Sequence, residues 1–344
     1  MKKTLNVLLL AVPETAGSAL YGMLDVLASA GNLWQTLVRA DVSDSLFRPQ
    51  VVSPRKQPFR CGNDIPVRPD VFVQDDPGAD ILILPELWLG PDEHLNGRYP
   101  DVMAFIRRKH EEGTYIYSAC SGAVMLAESG LLNGRRATSH WGYIDLFREH
   151  YPDVEFMPEP NLCFADQGGK VVTAGGTTSW HDLAMHIISR HGSPGEALRL
   201  AKVYLLKLHG EGQLPYTELI RNTPHADSKV REAEEWLEGH YKEPEPVSKL
   251  VQSMGLAERT LKRRFKSATG QSIIERVQNL RVEDAKRVLE TSRRSIDDIS
   301  AAVGYEDAAF FRRLFKRRCG VTPSDYRRMF AQDELRTQPV SQQS

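Results

Sequence analysis

The chain has 344 residues, 41% of them apolar, and a formal net charge of −1; that length exceeds one average domain and reads as two. No stretch approaches the roughly 20 apolar residues a membrane span needs. Four widely spaced cysteines, Cys61, Cys120, Cys163 and Cys319, make no metal-ligand pair and suit a reducing compartment without disulfides.

The balanced total hides a split. Residues 247–330 hold 19 Lys+Arg against 10 Asp+Glu, whereas residues 1–225 hold 21 against 26. A polyanion would therefore meet only the C-terminal part. The N-terminus is briefly like a signal peptide, but its apolar run is short, meets Pro13 and Glu14 and lacks a small-residue cleavage site, so residues 5–12 read as a buried first strand. Residues 19–30 form a helix with Leu20, Met23, Leu24 and Leu27 on one face. Strands follow at 48–53 and 80–85, a helix at 102–112 ending before Gly113, and a strand at 115–118 that runs through Ala119-Cys120-Ser121-Gly122 into a helix. A strand at 170–174, Gly175-Gly176-Thr177-Thr178, a helix from Trp180 and a helix over 193–208 complete the N-terminal part. Strands alternating with helices imply a mostly parallel sheet covered on both faces.

Residues 210–224, rich in Gly, Pro and polar residues, read as a linker. A pattern then occurs twice. In residues 247–270, Val247, Leu250, Met254 and Gly255 match Ile296, Ile299, Val303 and Gly304 of residues 296–320. Leu261, Arg263 and Phe265 likewise match Phe311, Arg313 and Phe315, one residue later in the second turn. Each copy is a short amphipathic helix, a turn at Gly and a second helix, the sequence form of a helix-turn-helix. The second helices turn Leu261/Phe265 and Phe311/Phe315 inwards and leave Lys262, Arg263, Arg312 and Arg313 outside. Residues 273–289, apolar at 273, 277, 280, 285 and 288, form a long helix between the copies. Thr322-Pro323-Ser324-Asp325 opens a last helix. Residues 331–344 are polar and read as a disordered tail.

Residues 227–330 resemble the AraC/XylS family of transcription regulators. The resemblance rests on L-x-R-x-F-K-x-x-x-G in the first copy, I-x-x-x-V-x-x-L-R in the central helix, and G-Y-x-D-x-x-x-F-x-R-x-F-K-x-x-x-G-V-T-P-S-x-Y-R in the second. It implies two helix-turn-helix units whose second helices enter successive major-groove segments of double-stranded DNA, about 34 Å apart. It assigns base reading to Arg259, Lys262 and Arg263 and to Ala308, Ala309, Arg312 and Arg313, with Thr260 and Phe310 beside them. It assigns phosphate contacts to Arg264, Lys266, Lys316, Arg317 and Arg318. The family usually has Ser where Ala257 and Glu306 stand, so the helix caps are expected to be weaker or shifted, in the second unit to Asp307.

Residues 1–209 resemble the PfpI branch of the class I glutamine amidotransferase-like superfamily. The matching pieces are A-D-I-L-I-L-P at 79–85, S-A-C-S-G at 118–122, L-L-N-G-R-R-A-T-S-H-W at 131–141 and V-V-T-A-G-G-T-T-S-W-H-D-L-A at 171–184. The resemblance implies a flavodoxin-like α/β sandwich and, joined to the AraC-type module, the architecture of GlxA-like regulators. The expected boundaries are 1–210 for a sensor domain, 211–225 for the linker, 226–330 for the all-α DNA-binding domain and 331–344 for the tail. At the strand-to-helix elbow, the helix N-terminus should lower the pKa of the Cys120 thiol, with His140 a possible base. Active relatives of the branch carry a Glu one helical turn before Leu24–Leu27. Here that position is Ala19 or a neighbour, so the acid is read as missing and Cys120 and His140 as vestiges, not catalytic residues. No cofactor or metal is expected.

The expected function is a cytoplasmic, ligand-responsive regulator of metabolic genes, an activator acting with RNA polymerase and forming a homodimer through its N-terminal domain. A small effector would sit among Glu86, Trp88, Cys120, Ser121, His140, Trp141 and Thr177, at the C-terminal ends of the strands. Tryptophans beside a carboxylate could hold a small cation; the bland reading makes Trp88 and Trp141 core residues. The competing functions are a Cys-dependent amidase or deglycase-like enzyme tethered to DNA, and a redox sensor acting through Cys120.

Overall fold

The computed structural model describes residues 3–42, 44–220 and 225–331. The chain divides into two compact units, Met1–Gln213 and Leu214–Ser344. The first is built on strands β1 (Leu5–Leu10), β2 (Phe47–Ser53), β3 (Val71–Phe72), β4 (Ile81–Leu84), β5 (Tyr115–Ala119), β6 (Leu162–Phe164) and β7 (Val171–Ala174). They form one sheet in the order β6-β7-β5-β4-β1-β2-β3, parallel throughout except for β6 at one edge. The two edge strands escape sequence reading because they are two and three residues long and carry too little alternation to register.

Both faces of the sheet are buried, which is why its central strands are continuous apolar runs. Leu8, Leu10, Leu82, Leu84 and Ile116 join one core with the helices α2 (Pro100–Glu111) and α3 (Gly122–Glu128). Val7, Leu9, Ile81, Ile83 and Tyr117 join the other with α1 (Gly17–Ala28) and α4 (Trp180–His191). The result is a three-layer α/β/α sandwich, the expected class. A further helix, α5 (Pro194–Val203), is capped by Ser193 and stops before Leu205, whose φ of 52° ends it short of the predicted 208.

The second unit is all-helical, with α6 (Ser228–His240), α7 (Pro246–Met254), α8 (Glu258–Thr269), α9 (Ile273–Thr291), α10 (Ile296–Ala302), α11 (Ala308–Cys319) and α12 (Pro323–Phe330). The central helix α9 opens with a capping box, Ser272 with Glu275. Its 19 residues span about 28 Å at 1.5 Å per residue. It serves two separate cores. Ile273, Val277 and Leu280 pack with Leu250, Leu261 and Phe265 of the first helix-turn-helix. Val282, Ala285 and Leu289 pack with Ile299, Phe311 and Phe315 of the second. One rigid rod thus seeds both units.

Residues 213–219 of the predicted linker are tied into the fold, and its residues 221–224 lie outside the described residues. Gln213 is buried in the first unit. In the second, Pro215 is buried, the Thr217 carbonyl accepts from Lys286 Nζ at 2.6 Å, and the Leu219 N–H donates to Glu283 Oε1 at 2.9 Å. Polar residues in this stretch marked backbone and side-chain hydrogen bonding, not mobility. Of the predicted tail at 331–344, residues 332–344 lie outside the described residues.

Candidate functional site

The first site forms where three parallel strands end. In register, Leu84 of β4 lies beside Ser118 of β5, and Ala119 of β5 beside Ala174 of β7. Two residues on, Glu86 and Cys120 leave the sheet side by side, and Thr177 arrives from the third strand. The Cys120 thiol donates to Glu86 Oε1 at 3.5 Å and the Thr177 hydroxyl donates to the same oxygen at 3.0 Å. Glu86 Oε2 is buried without a hydrogen-bond partner.

Cys120 has φ 51°, a left-handed conformation costing roughly 1–2 kcal/mol for a residue with a Cβ. Its backbone is held from two sides, by its N–H on the Ala174 carbonyl at 3.0 Å and by the Ser139 hydroxyl on its own carbonyl at 2.8 Å. Gly122 is required next, because a Cβ there would lie 2.2 Å from the Leu84 carbonyl. The elbow is real, but its electrostatics run against the sequence reading. Burial, then the adjoining Glu86 carboxyl, push the Cys120 thiol far above its ordinary value, and burial raises the Glu86 carboxyl. A helix end favours a thiolate modestly; the desolvation of a group only 2% exposed outweighs it. The direction of the shift favours the protonated thiol, which donates to Glu86.

The acid read as missing is present, supplied by another element. Ala19 is buried in α1 and Glu14 is turned to Arg98 at 2.7 Å and the Tyr99 hydroxyl at 2.6 Å, but Glu86 stands against the thiol. Ser121 lines no open space, since it is fully buried and its hydroxyl donates to the Leu87 carbonyl and accepts the Leu87 N–H. His140 Nδ1 accepts the Gly142 N–H at 2.9 Å, which leaves Nε2 to carry the proton of the neutral ring. Its ring lies 4.8 Å from that of Trp141, which is half-buried. Trp88 is 56% exposed, its indole laid over Gly62, so it is not a core residue. Among the described residues no group of three His, Cys, Asp or Glu side chains could hold a metal.

The second candidate surface lies on α8 and α11. Arg259, Lys262, Arg263 and Lys266 of α8 and Ala309, Phe310, Arg312, Arg313, Lys316 and Arg317 of α11 are exposed, while Thr260 and Ala308 are half-buried. Lys262 pairs with Glu258 one turn back, and Arg312 with Asp297; exposed pairs of this kind are weak and exchangeable. Arg264 is different. It forks onto Asp227 at 2.9 and 2.7 Å, tying α8 to the cap of α6, so its charge is already paired although the side chain stays partly exposed. Arg318 likewise reaches back to Gln278 of α9 at 2.9 Å. The caps differ as the sequence implied. Ala257 gives α8 no side-chain cap, whereas Asp307 accepts the Ala309 and Phe310 N–H groups of α11.

Sequence reasoning missed Arg281. From α9 its guanidinium donates to the Tyr241, Glu243 and Gly304 carbonyls at 2.6, 2.9 and 2.8 Å and lies 4.8 Å over the Tyr305 ring. One side chain therefore joins the turn of the second helix-turn-helix to the segment entering the first. The motif letter R at the end of I-x-x-x-V-x-x-L-R was the available signal.

Two exposed basic helices held apart by one rod define a DNA-binding regulator. More particularly, the chain joins a DJ-1/PfpI domain to an AraC-type helix-turn-helix domain. The model of the DJ-1/PfpI family matches residues 26–190 and that of the helix-turn-helix domain residues 250–329. The chain is similar to the HTH-type transcriptional regulator CdhR of Pseudomonas aeruginosa, at 26% identity over 82% of each chain. It is also similar to the HTH-type transcriptional regulator GlxA of Rhizobium meliloti, at 27% over 65% of this chain and 68% of that one. The isonitrile hydratase of Pseudomonas putida is 29% identical over 51% of this chain and 67% of its own. Among the described residues no helix is long and apolar enough to cross a membrane.

Proposed function

We propose that the first unit is a non-catalytic effector sensor and the second the DNA reader, so that a small metabolite bound at the elbow sets transcription. The observation that supports a binding role is the Glu86–Cys120 pair. With Thr177 it offers a thiol donor, a buried carboxyl with one oxygen unpartnered, and a threonine hydroxyl. A thiol held protonated also counts against the enzymatic and redox alternatives.

The effector class is a small cation or hydrogen-bond donor. Glu86 would receive it, with Trp88, His140 and Trp141 as aromatic walls. The regulator works as an activator in the cytoplasm, as a homodimer through the first unit, and acts with RNA polymerase. Base reading falls to Arg259, Lys262 and Arg263 of α8 and to Ala308, Ala309, Phe310, Arg312 and Arg313 of α11. The test is footprinting on upstream DNA with a metabolite library. Glu86→Gln should abolish the effector response while leaving basal DNA binding unchanged; a response that survives in Glu86→Gln refutes the sensor site. For the reader, Arg263→Ala should cost roughly 1–3 kcal/mol and relax specificity at one base pair, whereas Arg317→Ala should weaken all sequences alike and lower the salt slope by about 1.

A further inference from the structure

Gln213 closes the first unit, and its side chain is 3% exposed. Its amide nitrogen lies 3.0–3.2 Å from the Thr138 hydroxyl and the Ser139, Pro158 and Pro160 carbonyls. Three of these four can only accept, which fixes the nitrogen end of the amide there. The oxygen end is buried without a hydrogen-bond partner. A Cβ placed on Gly176 would meet that oxygen at 3.7 Å and the His140 ring at 3.6 Å. The unpaired oxygen and the imidazole thus border the same space, one residue before Thr177, whose hydroxyl holds Glu86. Ser139, on the nitrogen side, holds the Cys120 carbonyl.

We propose that Gln213 is both a wall of the elbow site and the latch through which occupancy reaches the DNA reader; this rests on the sensor reading above. The next residue, Leu214, opens the second unit. Within five more residues the chain is bound to the central helix α9 by Thr217 on Lys286 and Leu219 on Glu283. That helix is the rod that spaces α8 and α11. A buried amide with one end paired and the other unpaired is held less firmly than a fully satisfied one. A ligand donor reaching the Gln213 oxygen would tighten the seat, whereas a group filling the space above Gly176 would push the side chain out. In either case the displacement enters the second unit at residues 214–219.

The test is hydrogen exchange of the full chain, read at the Thr217 and Leu219 amides, in wild type, Gln213→Ala, Gly176→Val and the double variant. The larger side chain of valine at 176 would press on the His140 ring and the Gln213 oxygen, which a Cβ there already meets, so no effector is needed. Gln213→Ala should speed exchange at residues 217 and 219 about 10-fold or more while the strand amides of residues 81–84 stay protected. Gly176→Val should speed the same amides when Gln213 is present and add nothing when it is Ala. Unchanged exchange in Gln213→Ala overturns the proposal. So does a Gly176→Val effect that is equal in both backgrounds or absent from both. Should Gly176→Val expose residues 81–84, Gly176→Ala replaces it and is judged by the same comparison. None of these readings depends on Glu86, so a failed latch leaves the sensor site to stand or fall on the Glu86→Gln response.

Discussion

Arg281→Ala is expected to destabilise the DNA-binding unit more than any surface substitution on α8 or α11. The side chain is 7% exposed and donates to three carbonyls. Removing it strands those three oxygens, each at about 1 kcal/mol once water can reach part of the gap. It also loses the contact over Tyr305, worth about 0.5–1 kcal/mol, and some packing of the aliphatic stem. The sum is about 3–5 kcal/mol. For a unit of about 100 residues that corresponds to a fall of more than about 10 °C in melting temperature. Calorimetry of the full chain is the assay, because its two units can melt as separate transitions. One transition should fall and the other stay. Arg281→Lys keeps the charge but reaches fewer carbonyls than a fork does, so it should recover only about a third of the loss. A shift below about 3 °C for Arg281→Ala, or an equal shift in both transitions, would refute the view that this residue joins the two halves.

The remaining expectations are narrower. Ala257→Ser should stabilise α8 by about 1 kcal/mol by supplying a cap, while Asp307→Ala should lower the melting temperature by removing one; reversed signs in thermal denaturation would show that the helices start elsewhere. Native Cys120 should resist a thiol reagent at pH 8 and react after denaturation, and Cys120→Ser should retain the effector response while Cys120→Trp loses it; rapid native modification at residue 120 would overturn the neutral-thiol reading. Glu86 is raised by burial, so its contribution to stability is full below the ordinary carboxyl range near 4.3 and is lost as pH rises through the raised folded value. Urea unfolding should therefore show Glu86→Gln gaining on wild type as pH rises above the ordinary carboxyl value of about 4.3; a difference independent of pH would refute the raised carboxyl.

Much of this was readable in the sequence because it is periodic. Continuous apolar runs located β1, β4 and β5, and the i, i+4 pairs Leu261/Phe265 and Phe311/Phe315 located both second helices with their inner faces. The cap shift to Asp307 was legible because capping is local. What was not legible depends on partners far apart in the chain. Glu86 stands by Cys120 only because β4 and β5 are neighbours in register. Arg264 pairs with a residue 37 positions earlier, a contact that neither its charge nor its place in the motif reveals. The direction of the thiol shift was misjudged because a helix terminus is visible in sequence and burial is not. Gln213 was read by its composition as linker, although its side chain is among the buried polar groups of the sensor unit.

All four cysteines are buried, and burial holds the thiols of Cys61, Cys120, Cys163 and Cys319 above their ordinary values. The native protein therefore offers maleimide chemistry almost no target. A single cysteine introduced on an exposed position of each unit would be the unique attachment point for a dye, with no need to strip out the natural thiols. The distance between the units could then be followed in solution on the unaltered sensor, its elbow intact.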